Sequence, residues 1–193
     1  MAQVTSVQEY KRATLPALPE SQKFWLEEEF RKLERVLENH SFLLNINYGA
    51  FSSNVDQFAA VANTAYGVTY NSTEFSKGIS IGSPTSRIVV NKLGLYNFQF
   101  SLQLDKNNSS LGYVYIWARV NGVDVPNSAT KIALQGSTAE VVAAWNFVLE
   151  LAAGEYFELM WSTDSTGCHI SHEPATSPVP AIPSVLMTVT EIL

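Results

Sequence analysis

One pentapeptide of the chain has the residue types of a hydrolase nucleophile. Gly78 to Gly82 reads G-I-S-I-G and matches the G-x-S-x-G pattern, in which a serine on a sharp strand-to-helix turn attacks a carbonyl carbon. That chemistry needs a helix directly after the serine, but Ser83-Pro84-Thr85-Ser86 and then the extended run Arg87 to Val90 follow here. We therefore expect Ser80 to lie in an ordinary strand and predict no catalytic residue and no enzymatic activity.

A second cluster concentrates soft metal ligands, namely Cys168, His169 and His172. On an extended segment Cys168 and His172 share one face and His169 points to the other, so the three cannot close one zinc site. A three-fold axis could bring three copies of one histidine together, which leaves an axial ion open as an alternative. Otherwise these are polar tips at the end of a strand, and we predict no metal and no cofactor.

Charge and composition exclude several function classes. The chain has 12 Lys and Arg against 18 Asp and Glu, and its formal net charge of -6 argues against a nucleic-acid surface or an anionic-membrane surface. No apolar run is long enough for membrane insertion, and a single cysteine rules out an intramolecular disulfide. The first twelve residues have no apolar core of a signal peptide, so we expect synthesis in a cytoplasm without one.

The elements that position these residues begin with a short helix. Leu26, Phe30, Leu33 and Leu37 are spaced four, three and four, which predicts an amphipathic or coiled-coil helix over residues 20–41. Two prolines close residues 1–20 and favour an extended arm there. A lone helix of this length is marginal in water. It must pack on its own domain, on a partner, or on two further copies as a three-chain stalk.

Residues 42–193 are predicted to form one β-domain. In Gly94 to Leu104, aromatic and aliphatic residues alternate with Asn, Gln and Ser, which indicates a strand with one face in a core. Asn121-Gly122 is a strong tight-turn signal, Val55 to Ala65 is a short helix or a loop, and Glu173 to Pro183 is a long loop. The predicted strands are Ile46–Phe51, Gly67–Tyr70, Ile79–Ile81, Arg87–Val90, Gly94–Leu104, Gly112–Val120, Lys131–Leu134, Val141–Leu151, Tyr156–Ser162 and Val185–Ile192.

One of these strands is apolar or aromatic on both faces. A sandwich strand normally presents one face to water, but the run from Tyr113 to Val120 does not. We predict that another subunit covers its second face, with Tyr113, Tyr115 and Trp117 in a trimer interface. The alternative is that a long loop of the same chain covers it.

Three segments together resemble C1q-like and tumour-necrosis-factor-like jelly rolls, and more closely the variant in bacteriophage virion proteins. They are Gly94 to Ser101, Tyr115 to Ser128, and Leu151 to Trp161 followed by Pro180 to Val185. The resemblance implies an all-β, ten-strand sandwich that assembles as a homotrimer. Glu155 stands where the wider family usually has aspartate.

The resemblance also implies a place in a virion, as a tail-fibre or head-fibre knob or as a capsid-surface protein. The arm would bind other virion proteins of the capsid, portal or tail, the helix residues Leu26, Phe30, Leu33 and Leu37 would form the trimer stalk, and the knob would contact a host-surface glycan or protein. Two alternatives stay open: a capsid decoration protein that stabilises the shell, and a carbohydrate-binding, lectin-like module. The lectin alternative predicts exposed aromatic residues in the loops at 106–111 and 163–183, which are instead rich in Asn, Ser, Thr and Pro.

Overall fold

The computed structural model describes residues 19–192, except for the side chains of residues 21 and 38–44. The arm predicted for residues 1–20 therefore lies almost entirely outside the described residues. The chain divides into two compact units, and the boundary lies between Ile46 and Asn47. We describe each unit by itself.

The first unit contains one helix, α1, which runs from Glu20 to Leu44. It begins at the carbonyl of Pro19, which accepts hydrogen bonds from the amides of Gln22 and Lys23 at 2.9 and 3.0 Å. Proline is tolerated there because the amides of a helix's first turn have no helical partner in any case. Lys32 Nζ forms a 2.7 Å ion pair with Glu29 Oε1 one turn earlier on the exposed surface.

The second unit is built from strands. Among the described residues there are fourteen, and all of their ladders are antiparallel. They are β1 (Tyr48–Ser53), β2 (Gln57–Phe58), β3 (Tyr66–Gly67), β4 (Ser72–Lys77), β5 (Ile79–Ile81), β6 (Arg87–Val90), β7 (Gly94–Lys106), β8 (Gly112–Val120), β9 (Val123–Asp124), β10 (Thr130–Leu134), β11 (Val141–Leu151), β12 (Tyr156–Thr163), β13 (Cys168–Ile170) and β14 (Val185–Glu191).

The strands form two seven-stranded sheets. Sheet I has the order β2-β13-β7-β14-β1-β4, and β11 pairs with the other side of β7. Sheet II has the order β10-β8-β12-β6-β5, with β3 beside β12 and β9 beside β8.

The pairing of distant strands identifies the topology. Of the long strands, the first pairs with the last (β1 with β14), and the next ones inward pair in turn: β6 with β12, β7 with β11, and β8 with β10. A chain folded back on itself in this nested way and wrapped into two sheets is a jelly roll. The predicted fold class, an all-β jelly-roll sandwich, is confirmed.

The core lies between the sheets and is largely aromatic. The inward row of β7 is at most 2% exposed, in agreement with the predicted alternation. Phe98 of this row stacks on Phe157 of sheet II with ring centroids 4.2 Å apart and planes 19° apart. The members of the β7 row are Tyr96, Phe98, Phe100, Leu102 and Leu104.

The structure differs from the predicted strands in the shorter and more polar elements. Of Gly67–Tyr70 only Gly67 lies in a strand, although Val68 and Tyr70 are fully buried. Val55 to Ala65 is a loop that contains β2 rather than a helix. Strands β2, β4, β9 and β13 were not predicted, since three of them have only two or three residues and β4 is a polar edge strand.

Truncation of Phe98 to alanine should be costly because the ring is fully buried and stacked. We expect Phe98→Ala to lower the free energy of unfolding by about 3 to 5 kcal/mol. The neighbouring outward residue provides a control, and Gln99→Ala should change it by less than about 0.5 kcal/mol. Urea denaturation at one fixed protein concentration measures both, and equal losses would contradict this assignment of the two faces.

Candidate interaction surfaces

Ser80 has none of the surroundings of a catalytic nucleophile. It lies in the middle of β5, opposite Val89 of β6, as the sequence predicted, and the next element is β6 rather than a helix. An open pocket of about 240 Å³ lies beside it. Its lining contains neither a histidine nor a carboxylate, so no general base is placed to activate the hydroxyl. The lining residues are Gly78, Ile79, Ser80, Val89, Val90 and Asn91.

The three soft ligands have separate surroundings. Cys168 is buried in the core, and this burial raises the pKa of its thiol. The His169 ring stacks on Phe58 with centroids 4.7 Å apart, and its Nε2 lies 3.5 Å from Asp105 Oδ2. The amide of His172 donates a 2.7 Å hydrogen bond to an aspartate of another loop. Among the side chains that the structure describes, no three of His, Cys, Asp or Glu are grouped so that they could hold a metal ion.

A buried lysine close to this cluster was not foreseen from the sequence. Lys106 is fully buried, and its ammonium donates to the carbonyl oxygen and Oδ1 of Asn108 and to the carbonyl oxygen of Ser110. Three oxygen acceptors match the three N–H donors of a lysine. The lysine therefore orders the loop after β7 from within.

The predicted interface residues form one row on the outer face of sheet II. Val114, Ile116 and Ala118 are fully buried in the core, and the alternate residues Tyr113, Tyr115 and Trp117 point outward and are half-buried. The sequence correctly predicted that both faces of β8 are apolar or aromatic, with the three aromatic side chains on the outer face. Their place in a trimer interface stays a prediction.

Charged side chains surround this row. Lys131 of β10 places its Nζ 3.6 Å from the ring centroid of Tyr113 and 5.6 Å from that of Tyr115. Such cation–π contacts stabilise a lysine at an exposed site by about 0.5 to 1 kcal/mol. Part of the aromatic surface is thus already covered by a charged group of the same chain.

Asp124 links the last two outward residues of β8. Its Oδ1 accepts hydrogen bonds from Trp117 Nε1 and from Arg119 Nε, each at 2.7 Å. The two donors, Arg119 first, hold the pKa of the Asp124 carboxyl below its ordinary value.

A two-residue turn puts Asp124 in this position. Asn121 and Gly122 have φ of 50° and 80°, as a type I′ turn requires, and the tight hairpin predicted from Asn-Gly is confirmed. The turn pairs Val120 with Val123 and Arg119 with Asp124. The hairpin register was thus the sequence signal that could have identified Asp124 as a functional residue.

A second apolar surface lies at the edge of sheet I. Among the described residues, β11 pairs with β7 alone, so the other side of this eleven-residue strand has no ladder. Its core-facing Trp145, Phe147 and Leu149 are only half-buried, although Trp145 contacts Phe100 edge-on at 4.6 Å. The sequence placed Trp145 in phase with the core, which is correct, but gave no sign that the strand is an edge.

The outer face of sheet I beside β11 has an unusual composition. Its central positions on β14, β7 and β11 contain no charged residue. Val142 and Val148 of β11 lie on this face and are 57% and 48% exposed. The central residues are Thr188, Thr190, Asn97, Gln99, Ser101, Ala144 and Asn146.

The helix carries an apolar stripe of its own. Leu26 and Phe30 are half-buried, whereas Leu33 and Leu37 are 54% and 57% exposed. Exposed Trp25 and Val36 lie roughly 80 to 100° around the helix from Leu26. The stripe is therefore wider than the narrow seam of a two-stranded coil. None of the described helical residues forms a segment long and apolar enough to cross a bilayer.

Comparison with known proteins finds similarity to solved structures alone. Murine APRIL is 9% identical, with a TM-score of 0.48, and the match covers 76% of this chain and 99% of that one. The globular domain of the zebrafish complement 1qA protein is 11% identical, with a TM-score of 0.47, and the match covers 76% and 98%. No family model and no curated protein matches the chain. The fold assignment rests on the strand order and pairing given above.

The lowered pKa of Asp124 predicts a pH dependence. A carboxyl whose pKa is lower in the folded state stabilises the protein above its unfolded pKa of about 4, and this stabilisation is lost as the pH falls through the folded value. The side chain is 55% exposed, so we expect Asp124→Asn to cost less than about 1 kcal/mol at neutral pH. Urea denaturation should find that the difference from the parent protein shrinks below about pH 4. A constant difference would contradict the electrostatic role.

Proposed function

We propose that this protein is a non-enzymatic, homotrimeric structural protein of a bacteriophage virion, acting as a fibre knob or as a capsid-surface protein. Residues 1–20 attach it to other virion proteins, and the jelly roll is presented to the surroundings. Three segments resemble phage jelly rolls and support this role: Gly94 to Ser101, Tyr115 to Ser128, and Leu151 to Trp161 followed by Pro180 to Val185. Three weak contacts on one trimeric head add avidity to any binding of the host surface.

The open edge of sheet I is the observation that carries the self-association. A long edge strand with an unpaired side and aromatic residues that are half-exposed is normally covered in a soluble protein. Burial of exposed apolar side chains contributes about 25 cal/mol for each Å² removed from water. The centre of the outer face of sheet I, between Glu150 at one end and Asp105 at the other, offers a surface that can be buried without desolvating ions.

A contact between the β11 edge of one subunit and the outer face of sheet I of the next also favours a ring of subunits. The two surfaces differ, so the contact is heterologous, and a heterologous contact that closes gives a cyclic oligomer rather than a two-fold dimer. The wide apolar stripe of α1 fits a helix that contacts more than one neighbour. Both features support a cyclic oligomer, and the number of three subunits is what the resemblance to C1q-like jelly rolls implies. The row Tyr113, Tyr115 and Trp117, predicted from the sequence, remains the rival interface.

Light scattering of exposed-residue variants distinguishes the two interfaces. The parent protein should have a mass of three times 21.3 kDa, or about 64 kDa. The double substitution Val142→Asp/Val148→Asp should shift the mass toward 21.3 kDa on dilution, because it places two charges in the proposed contact. Val179→Asp, at a similarly exposed position in a loop, should leave the mass unchanged.

Two outcomes would contradict parts of this proposal. A parent protein of 21.3 kDa at all concentrations would overturn the trimer. A trimer that survives Val142→Asp/Val148→Asp but dissociates with Tyr115→Asp would move the interface to the outer row of β8, as the sequence predicted. Circular dichroism of each variant confirms that its fold is retained.

A separate pair of variants tests the stalk. Leu33→Gln/Leu37→Gln should weaken trimer association by at least about tenfold, since each leucine buried in a seam contributes about 1.5 to 3 kcal/mol. Arg35→Gln, between them on the polar side of α1, should leave association unchanged. Analytical ultracentrifugation over a dilution series measures both. Equal association of the two variants would exclude a stalk and leave two alternatives for α1, packing on its own domain or binding another virion protein.

The capsid decoration alternative requires a comparison of particles. Virions that lack this protein should adsorb less to host cells if it is a fibre knob, and should lose heads on heating or dilution if it reinforces the shell.

A further inference from the structure

The outer row of β8 ends in a pair of side chains whose positions are fixed by a third. Trp117 and Arg119 are two residues apart on one strand and therefore lie on the same face of sheet II. Asp124 binds Trp117 Nε1 and Arg119 Nε through the same oxygen. We propose that Trp117 and Arg119 bind a carboxylate-bearing sugar, that is, an acidic glycan of the uronic-acid class.

The arginine is prepared to bind a carboxylate. Within the described part of the chain, Arg119 makes side-chain hydrogen bonds to Asp124 alone, through Nε, and its side chain is 23% exposed. The two terminal nitrogens of the guanidinium are left to bind a ligand, and their parallel N–H groups match the two oxygens of a carboxylate. Because Asp124 already holds the guanidinium, less side-chain entropy is lost when an anion binds.

The aromatic row adds a surface for the sugar rings. Trp117 and Tyr115 are two residues apart on the strand, so their rings lie about 7 Å apart. Beyond them Lys131 Nζ lies 3.6 Å from the ring centroid of Tyr113 and covers that ring. Aromatic rings of Tyr and Trp combine an apolar face with a polar edge, and the C–H face of a pyranose packs on such a ring. The row thus fits an oligosaccharide with its acidic group at Arg119. This differs from the lectin alternative above, which placed aromatic residues in the 106–111 and 163–183 loops.

Charges of both signs surround the row, and they balance. Arg119 and Lys131 contribute two positive charges, and Asp124 and Asp164 contribute two negative charges; Asp164 Oδ1 accepts a 2.7 Å hydrogen bond from the amide of Tyr113. Across the strand, Glu158 is balanced by Arg87 at 3.8 Å and accepts a hydrogen bond from Ser86. A balanced site on a chain with a net charge of -6 disfavours dense polyanions such as nucleic acids, so the acidic group that it can recognise is a single carboxylate at Arg119.

The same charges argue against a dry subunit contact at this row. A partner subunit would have to desolvate Lys131 and the Arg119–Asp124 ion pair, and the attraction within a pair often does not repay the loss of hydration. In water, by contrast, the groups remain solvated and open to a ligand. The inference rests on the proposed function only in that the subunits meet at sheet I, so that the β8 row faces solvent.

Calorimetry with a matched pair of oligosaccharides tests the site in the 193-residue chain. The probes are tetragalacturonic acid and its methyl ester, which keeps the rings but removes the negative charges. We expect the acid to bind with a dissociation constant on the order of 1 mM or below, and the ester at least tenfold more weakly. Arg119→Gln should lower the affinity for the acid at least tenfold, Arg119→Lys should lower it less, and Arg35→Gln on α1 should leave it unchanged.

Each result decides the proposal. Absence of binding of the acid at 10 mM (about ten times the expected constant), equal binding of acid and ester, or unchanged affinity of Arg119→Gln would overturn it, as would dissociation of the trimer by Tyr115→Asp. The mass of each sample is measured in parallel. A parent protein that is monomeric but binds the acid through Arg119 would overturn the trimer and leave the glycan site in place.

Discussion

The structure depends on one strand, β7. It is the longest strand, and its inward side chains form the main part of the core. Its thirteen residues pair with β11 on one side, over Gly94 to Leu104, and with β13 and β14 on the other, so a single segment holds three strands of sheet I in register. Its inward row also bridges the sheets through the stack of Phe98 on Phe157. Because side chains alternate with a period of two, a slip of one residue would exchange this aromatic row for Asn, Gln and Ser.

The same alternation determines what the surfaces contain. Once the inward row of β7 is fixed, its outward residues and their neighbours on β14 and β11 must form the outer face of sheet I, which is uncharged at its centre. The nested pairing that defines a jelly roll also leaves β11 at an edge, where Trp145 and Phe147 lie in the core layer and no strand among residues 19–192 lies beyond them. An edge strand of this kind can pair with other chains, which promotes aggregation of a monomer but provides a contact for an assembly.

The sequence predicted the fold class and the long strands because these rest on a local pattern, the period-two alternation of Gly94 to Leu104 and of Val141 to Leu151. It did not predict β4, whose residues are polar and whose place at an edge comes from pairing with distant β1. It also placed Trp145 in the core but could not place β11 at an edge, since edge position is a property of the whole sheet. The ligand candidates at Cys168 to His172 had the correct residue types but lack the geometry of a metal site, because strand β13 buries the cysteine.

The two outer faces of the sandwich differ in their charged groups, and each therefore favours a different kind of contact. The outer face of sheet I has no charged residue at its centre and lies next to the aromatic residues of the open edge. Removal of water from this face therefore costs little free energy. The β8 row of sheet II combines rings with Lys131, Arg119 and Asp124, whose hydration would be lost on burial. The Asn121-Gly122 turn increases this difference, because it places a carboxylate beside Trp117 and Arg119. These two residues lie on the strand that the sequence predicted to form a subunit interface. A single tight turn thus converts an apolar strand face into a polar, preorganised one.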